Sequence, residues 1–296
     1  MRLNAMRRLR DWGGAYLFIL PNAVIFLVFV LGPIVFSVYT SLTKWTLLNP
    51  PVFIGFQNYR AIFQDHYFRQ YLGNTLFLML ALPFEWAGAL LVASALNRSL
   101  KGRLVFRTFA FMPNVCSGVA IALLWKTLYN YDSGLVNIIL GSLSFPTPNW
   151  LGDMAWAKPA MMLVGIWASV GGVNMILFLA ALQNVPDHYY EAAMIDGASG
   201  WRLFRHITWP LISPTTWFIV MTSLITAFQA GFEMAYNLTR GGPGGATTTL
   251  IFYIYRTAFD YLKMGYASAL AWVLFLCVFV VTLLNWKYGE RTVFYG

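Results

Sequence analysis

Uncharged apolar runs, each long enough to cross a bilayer, set the pattern of this chain. Residues 14–43, 159–186, 207–232 and 264–286 hold no Asp, Glu, Lys or Arg, 70–97 holds only Glu85, and 108–125 is clean behind Arg103 and Arg107. A hydrocarbon core of about 30 Å takes roughly 20 helical residues. The runs lack the apolar–polar alternation of barrel strands, and a backbone crossing lipid must satisfy its own hydrogen bonds, so helices are expected. The pattern predicts six spans, near 14–43, 70–97, 104–127, 159–184, 208–235 and 264–286. The expected fold class is an all-α integral membrane protein, with one six-span domain over 14–287 and short ends at 1–13 and 288–296.

Composition sharpens this. The 296 residues are 59% hydrophobic and 10% charged, against about 25% charged in an average soluble domain. The formal charge is +9, but the basic residues form short clusters between apolar runs instead of one basic face, which points to a lipid bilayer and away from nucleic acid. Twelve of the 20 Lys and Arg fall on the N-terminus, the 97–107 and 187–206 loops and the C-terminus, and eight on the loops between. The positive-inside bias places both termini in the cytoplasm, as an even number of spans requires. Arg2, Arg7, Arg8 and Arg10 before an apolar stretch imitate a signal peptide. The run continues through Gly32 and Pro33 to Thr43 without a small-residue cleavage pattern, so it reads as a retained first span. Cys116 and Cys277 lie far apart in apolar runs, where buried inert thiols are expected.

The loop between the fourth and fifth spans, 185–210, reads VPDHYYEAAMIDGASGWRLFRHITWP. Pro186 suits a helix start, Asp187 and Glu191 place negative charge near it, and Tyr189, Ala192 and Ala193 share a face. Gly197 can end that helix in the left-handed conformation, and Ser199 can cap a second in which Trp201 and Phe204 share a face before Pro210 opens the next span. Composition alone favours a hairpin that lies on lipid headgroups.

Glu191-Ala192-Ala193, then Gly197 after three intervening residues, then Ile207 and Pro210, resembles the EAA signature of permease subunits of binding-protein-dependent ABC importers. LYNYDSGLVN (128–137), NWLGD (149–153), LFLAALQNVP (177–186), MIDGAS (194–199) and LTRGGPGGATTTLIFYIYRTAF (238–259) look like the carbohydrate-uptake branch, specifically the first of its two unlike permeases. The resemblance covers about 14–287. Trp209 stands where Leu is usual, and the stretch from Trp167 to Pro186 is one residue longer than in common relatives. The resemblance implies a type I ABC importer transmembrane domain in a prokaryotic inner membrane. It implies a second, unlike permease, two ATPase subunits that bind ATP and Mg, an extracytoplasmic sugar-binding protein and a sugar substrate. It makes 187–206 the loop that docks on the ATPase, with Glu191, Ala192, Ala193, Asp196, Gly197, Trp201, Phe204, Ile207 and Pro210 as coupling residues.

No catalytic motif competes with this reading. GGPGGATTT (241–249) lacks the Gly-Lys-Ser/Thr ending of a phosphate-binding loop, and His66, His188 and His206 are scattered. No cofactor or metal is expected in this chain, and it is read as a transport subunit, with ATP hydrolysis elsewhere. The polar groups at membrane depth are the other lead. A carboxylate near mid-bilayer costs about 2.5–3.5 kcal/mol on insertion scales, so Glu85 is expected to face protein, water or a partner. Ser169, Asn174, Gln229 and Glu233, with the nearby aromatics Trp167 and Phe228, fit either interhelical hydrogen bonding or a sugar path. Gly171-Gly172 and Gly231 permit close approach or a local break. The alternatives are an ABC permease for another solute such as glycerol phosphate, and an ion-coupled secondary transporter.

Overall fold

The computed structural model describes residues 16–98, 101–229 and 231–289, and the expected end 1–13 and all of the expected end 288–296 beyond 289 lie outside them. Five described helices are long and apolar enough to cross a membrane: Tyr16–Ser41, His66–Asn97, Met154–Gln183, Trp201–Thr239 and Met264–Lys287. Arg103–Val115 and Gly118–Leu128 make a sixth if they count as one span, although they meet at 98°. The third span read over 104–127 is thus broken near its middle. Pro113 removes a backbone donor near the end of the first half, and Ser117 starts a new helix by accepting from the Ala120 N–H at 3.2 Å.

Other helix starts follow the same chemistry. Asp65 accepts from the Tyr67 N–H at 2.9 Å and Asp153 from the Ala155 N–H at 2.8 Å. The fifth span starts earlier than expected, because the short helix after Gly200 runs into it without a stop. Pro210 is accommodated by the π-helical turn Phe204–Thr208, in which the Trp209 N–H bonds back to the Phe204 carbonyl. The fourth span breaks at Gly171-Gly172, giving helices Met154–Val170 and Val173–Gln183.

The described residues fall into two compact units, one from 16–64 with Ile254–Trp272, the other from Asp65–Tyr253 with 273–289. In the first, the Tyr16–Ser41 helix exposes apolar side chains along its length, which suits lipid or a partner helix and not water. Its far end is held by polar bonds. Asn58 Nδ2 donates to the Ser41 and Thr43 carbonyls at 2.8 and 2.9 Å, and Thr40 Oγ1 donates to Ser268 Oγ at 3.0 Å. A two-stranded antiparallel ladder pairs Thr43 with Phe53 and Lys44 with Val52.

In the second unit, helices Leu82–Asn97, Val173–Gln183 and Trp209–Gln229 pack around Ala89, Ala93, Met175, Phe178, Leu179 and Ile219. Ala89 and Ala93, one turn apart and fully buried, let the backbones approach closely, as small residues do between membrane helices. Cys277 is half-buried, but Cys116 is exposed at the break in the third span, which corrects the expectation of two buried thiols.

Candidate functional site

The Asp65–Tyr253 part of the second unit holds a half-open cavity of about 530 Å³. Glu85 reaches it from the second span, where Ser169 hydrogen-bonds to its carboxyl group. Gly165 leaves that group open: a Cβ there would come within 3.7 Å of Glu85 Oε1. Ser169 and Asn174 flank the Gly171-Gly172 break, so the break itself turns two polar side chains into the cavity. The Asn174 Nδ2 donates to Ser223 Oγ at 3.3 Å. Asn114, from the third span just before its bend, completes the amide pair.

Of the residues read from sequence, the structure brings together Glu85, Ser169 and Asn174 around this cavity; Trp167, Phe228, Gln229 and Glu233 do not line it. Trp167 joins an aromatic chain, with its ring 5.5 Å from Trp125, which in turn lies 5.0 Å from Tyr129. Phe228 is buried at 2% exposure, Gln229 is exposed, and Glu233 turns its carboxylate towards Gly118. The reading missed Asn114, Thr222, Ser223 and Thr226, which with Thr75 and Thr249 supply the remaining polar lining. Thr222 and Thr226 lie one helical turn apart, but Ser213, Thr215 and Thr216 on the same span dilute the pattern, so spacing alone does not single them out.

The glycine-rich 241–249 loop is tied to the same unit. Asn74 Nδ2 donates to the Gly245 and Thr248 carbonyls, both at 2.9 Å, and the Leu250 N–H donates to Thr75 Oγ1 at 2.9 Å. Lys158 Nζ donates to Asn74 Oδ1 at 3.0 Å, so the amide is saturated.

The 185–210 loop forms the second feature. Its first helix, Asp187–Ile195, begins after Pro186 and ends at Gly197, whose φ is +77°. The Ala198 N–H bonds to the Ala193 carbonyl at 2.9 Å and the Gly197 N–H to Met194 at 3.0 Å, the pair of bonds that closes a Schellman cap. Two expectations are corrected here. Only Asp187 occupies the first turn, with Glu191 a full turn further on, where the macrodipole has faded. The position before the second helix is Gly200, with no side-chain cap, so Ser199 does not serve as one. Glu191, Ala192, Asp196 and Trp201 are exposed, and Ala193 and Phe204 half-buried. The Trp201 ring stacks on Phe204 at 5.2 Å. Tyr190 and Ile207 pack against the main core, and the Tyr190 hydroxyl bonds to Thr208 Oγ1 at 3.0 Å. Pro210 is half-buried at the root of the loop. The result is a hairpin anchored on one side and apolar on the other, with Met194, Ile195 and Trp201 facing outward.

Residues 61–286 match the family described as binding-protein-dependent transport system inner membrane component. The chain belongs to this family. It is a multi-pass membrane permease, a transport subunit with the type I ABC importer fold. The permease is 38% identical to a probable ABC transporter permease protein, YurN, of Bacillus subtilis, over 92% of this chain and 94% of the relative. It is 36% identical to the lactose transport system permease protein LacF of Rhizobium radiobacter, over 97% of both. Among solved structures, it resembles a bacterial ABC transporter involved in the import of the acidic polysaccharide alginate, with a TM-score of 0.84 and 27% identity, covering 98% of this permease and 99% of that chain.

Proposed function

We propose that this permease forms half of the translocation path for an oligosaccharide or related sugar, handed over by an extracytoplasmic binding protein. A second, unlike permease completes the path, and two ATPase subunits, which carry the ATP and Mg, drive it. The observation that carries the sugar reading is the cavity: Glu85, Ser169, Asn174, Asn114 and hydroxyls of the fifth span converge among apolar helices. Hydroxyl-rich ligands need such amide and carboxyl partners. The lactose assignment of LacF and the alginate assignment of the structural neighbour support the same class. In this reading the 187–206 hairpin docks on an ATPase subunit through its exposed apolar side, and the Tyr190–Thr208 bond couples it to the fifth span.

The test is uptake by the whole complex. Asn174→Leu and Glu85→Gln are expected to lower sugar uptake at least about tenfold, the effect of losing hydrogen bonds worth roughly 1.5 kcal/mol, while the variants still copurify with the second permease and the ATPase. Normal uptake in both would remove the cavity from the path.

The proposed orientation puts both termini and 187–206 in the cytoplasm, with 44–69 and 128–157 outside. In a background lacking Cys116 and Cys277, Asn49→Cys and Ser133→Cys are expected to react with an impermeant thiol reagent in intact cells, and Ser199→Cys only after lysis. Labelling of Ser199→Cys in sealed cells reverses the orientation.

A further inference from the structure

We infer that this permease's half of the path accepts uncharged sugars and refuses anionic ones. The inference rests on the cavity being the sugar path proposed above, and names the substrate class that cavity takes. Among the described residues that line it, Glu85 is the one titratable side chain, and there is no Lys, Arg or His. Everything else polar is an amide or a hydroxyl: Asn114 and Asn174, Ser169 and Ser223, and Thr75, Thr222, Thr226 and Thr249. These groups both donate and accept, which suits sugar hydroxyls and leaves a uronate or phosphate without a charged partner.

The nearest cation on the same helix is already engaged. Lys158 precedes Met162 by one helical turn, yet its ammonium bonds Asn74 Oδ1 at 3.0 Å and sits 5.2 Å from the centroid of the Phe77 ring. It is not among the cavity-lining residues, and releasing it would break the contact that saturates Asn74. Glu85 excludes anions in either protonation state. Ionised, it repels a carboxylate at close range; protonated, it offers no positive charge to stand in for the water an anion leaves behind. A neutral sugar has no such difficulty, because a carboxyl group accepts hydrogen bonds from two adjacent hydroxyls. The alginate importer that this permease resembles takes an acidic polysaccharide, so the inference separates the two at one chemical feature, charge.

The test uses the complete complex in lipid nanodiscs, with a panel of neutral di- and trisaccharides and the uronate counterpart of each, binding being followed by ligand-observed NMR. For at least one pair, the neutral sugar is expected to bind at least about tenfold more tightly than the uronate, as one unshielded like-charge contact implies. In Glu85→Lys the gap should close or invert. Equal or tighter binding of uronates by the unaltered complex overturns the inference and leaves the sugar reading standing. A preference for neutral sugars that persists unchanged in Glu85→Lys removes Glu85 from the discrimination and overturns it as well. No binding by any member of the panel defeats the sugar path itself, and the inference with it.

Discussion

Gly197→Val and Glu191→Arg are expected to insert, pair with the second permease and yet lose binding-protein-stimulated ATP hydrolysis and uptake. The two changes act differently. Gly197 holds φ at +77°, and a Cβ there would meet nothing within 4 Å, so the penalty is conformational and not steric. Forcing a β-branched residue into the left-handed region costs roughly 1–2 kcal/mol and favours unwinding the Schellman cap. The cap turns the chain from the Asp187–Ile195 helix towards Trp201, so losing it displaces the stacked Trp201 and Phe204 relative to Met194 and Ile195. Glu191 is exposed one turn into the helix, beyond the reach of the dipole. Its reversal therefore leaves the helix intact and removes a carboxylate from the surface proposed to meet the ATPase. Stimulated hydrolysis at the level of the unaltered complex in both variants would mean that this hairpin is not the joint.

Gly171→Leu is expected to abolish accumulation of the assembled complex. The Cα of Gly171 lies so close to the Arg103–Val115 helix that any Cβ would overlap the Ala110 carbonyl. Backbone cannot swing aside as a flexible side chain can, and overpacking of this kind costs about 3 kcal/mol or more. Gly172 is nearly as confined, since its Cβ would lie 2.9 Å from Asn114 Nδ2 and 3.1 Å from the Ser169 carbonyl. The substitution thus strikes the fold and the cavity together. The check is the yield of copurified second permease: normal yield with Gly171→Leu would show that this crossing tolerates separation.

How much of this the sequence alone carries depends on the scale of the question. Charge-free runs of membrane length locate the spans, because the cost of burying charge in lipid allows few exceptions. The break in the third span depends on Ser117 acting as a cap after Pro113, a local competition that a hydropathy pattern averages away. The loop is legible because its punctuation is chemical: Pro186 starts a helix and Gly197 ends it. The cavity is harder to read. Residues two apart on a helix point about 200° apart, so Ser169 lines the cavity while Trp167, close in sequence, faces Trp125. Thr226 and Phe228 divide the same way. The hydroxyls of the fifth span carry no distinguishing mark either. Thr222 and Thr226 bond to the Phe218 and Thr222 carbonyls at 2.8 and 2.9 Å, as any threonine in an apolar helix does. Which face they present is decided by packing around Ile219 and Phe178, and only the fold displays it.

The most direct measurement is sugar accumulation by the purified complex in sealed proteoliposomes, with ATP on the hairpin side and the binding protein on the other. Accumulation that requires both ATP and the binding protein, and that Glu191→Arg abolishes, is the predicted result. Accumulation driven by a proton or sodium gradient in the absence of ATP would contradict the account at its centre.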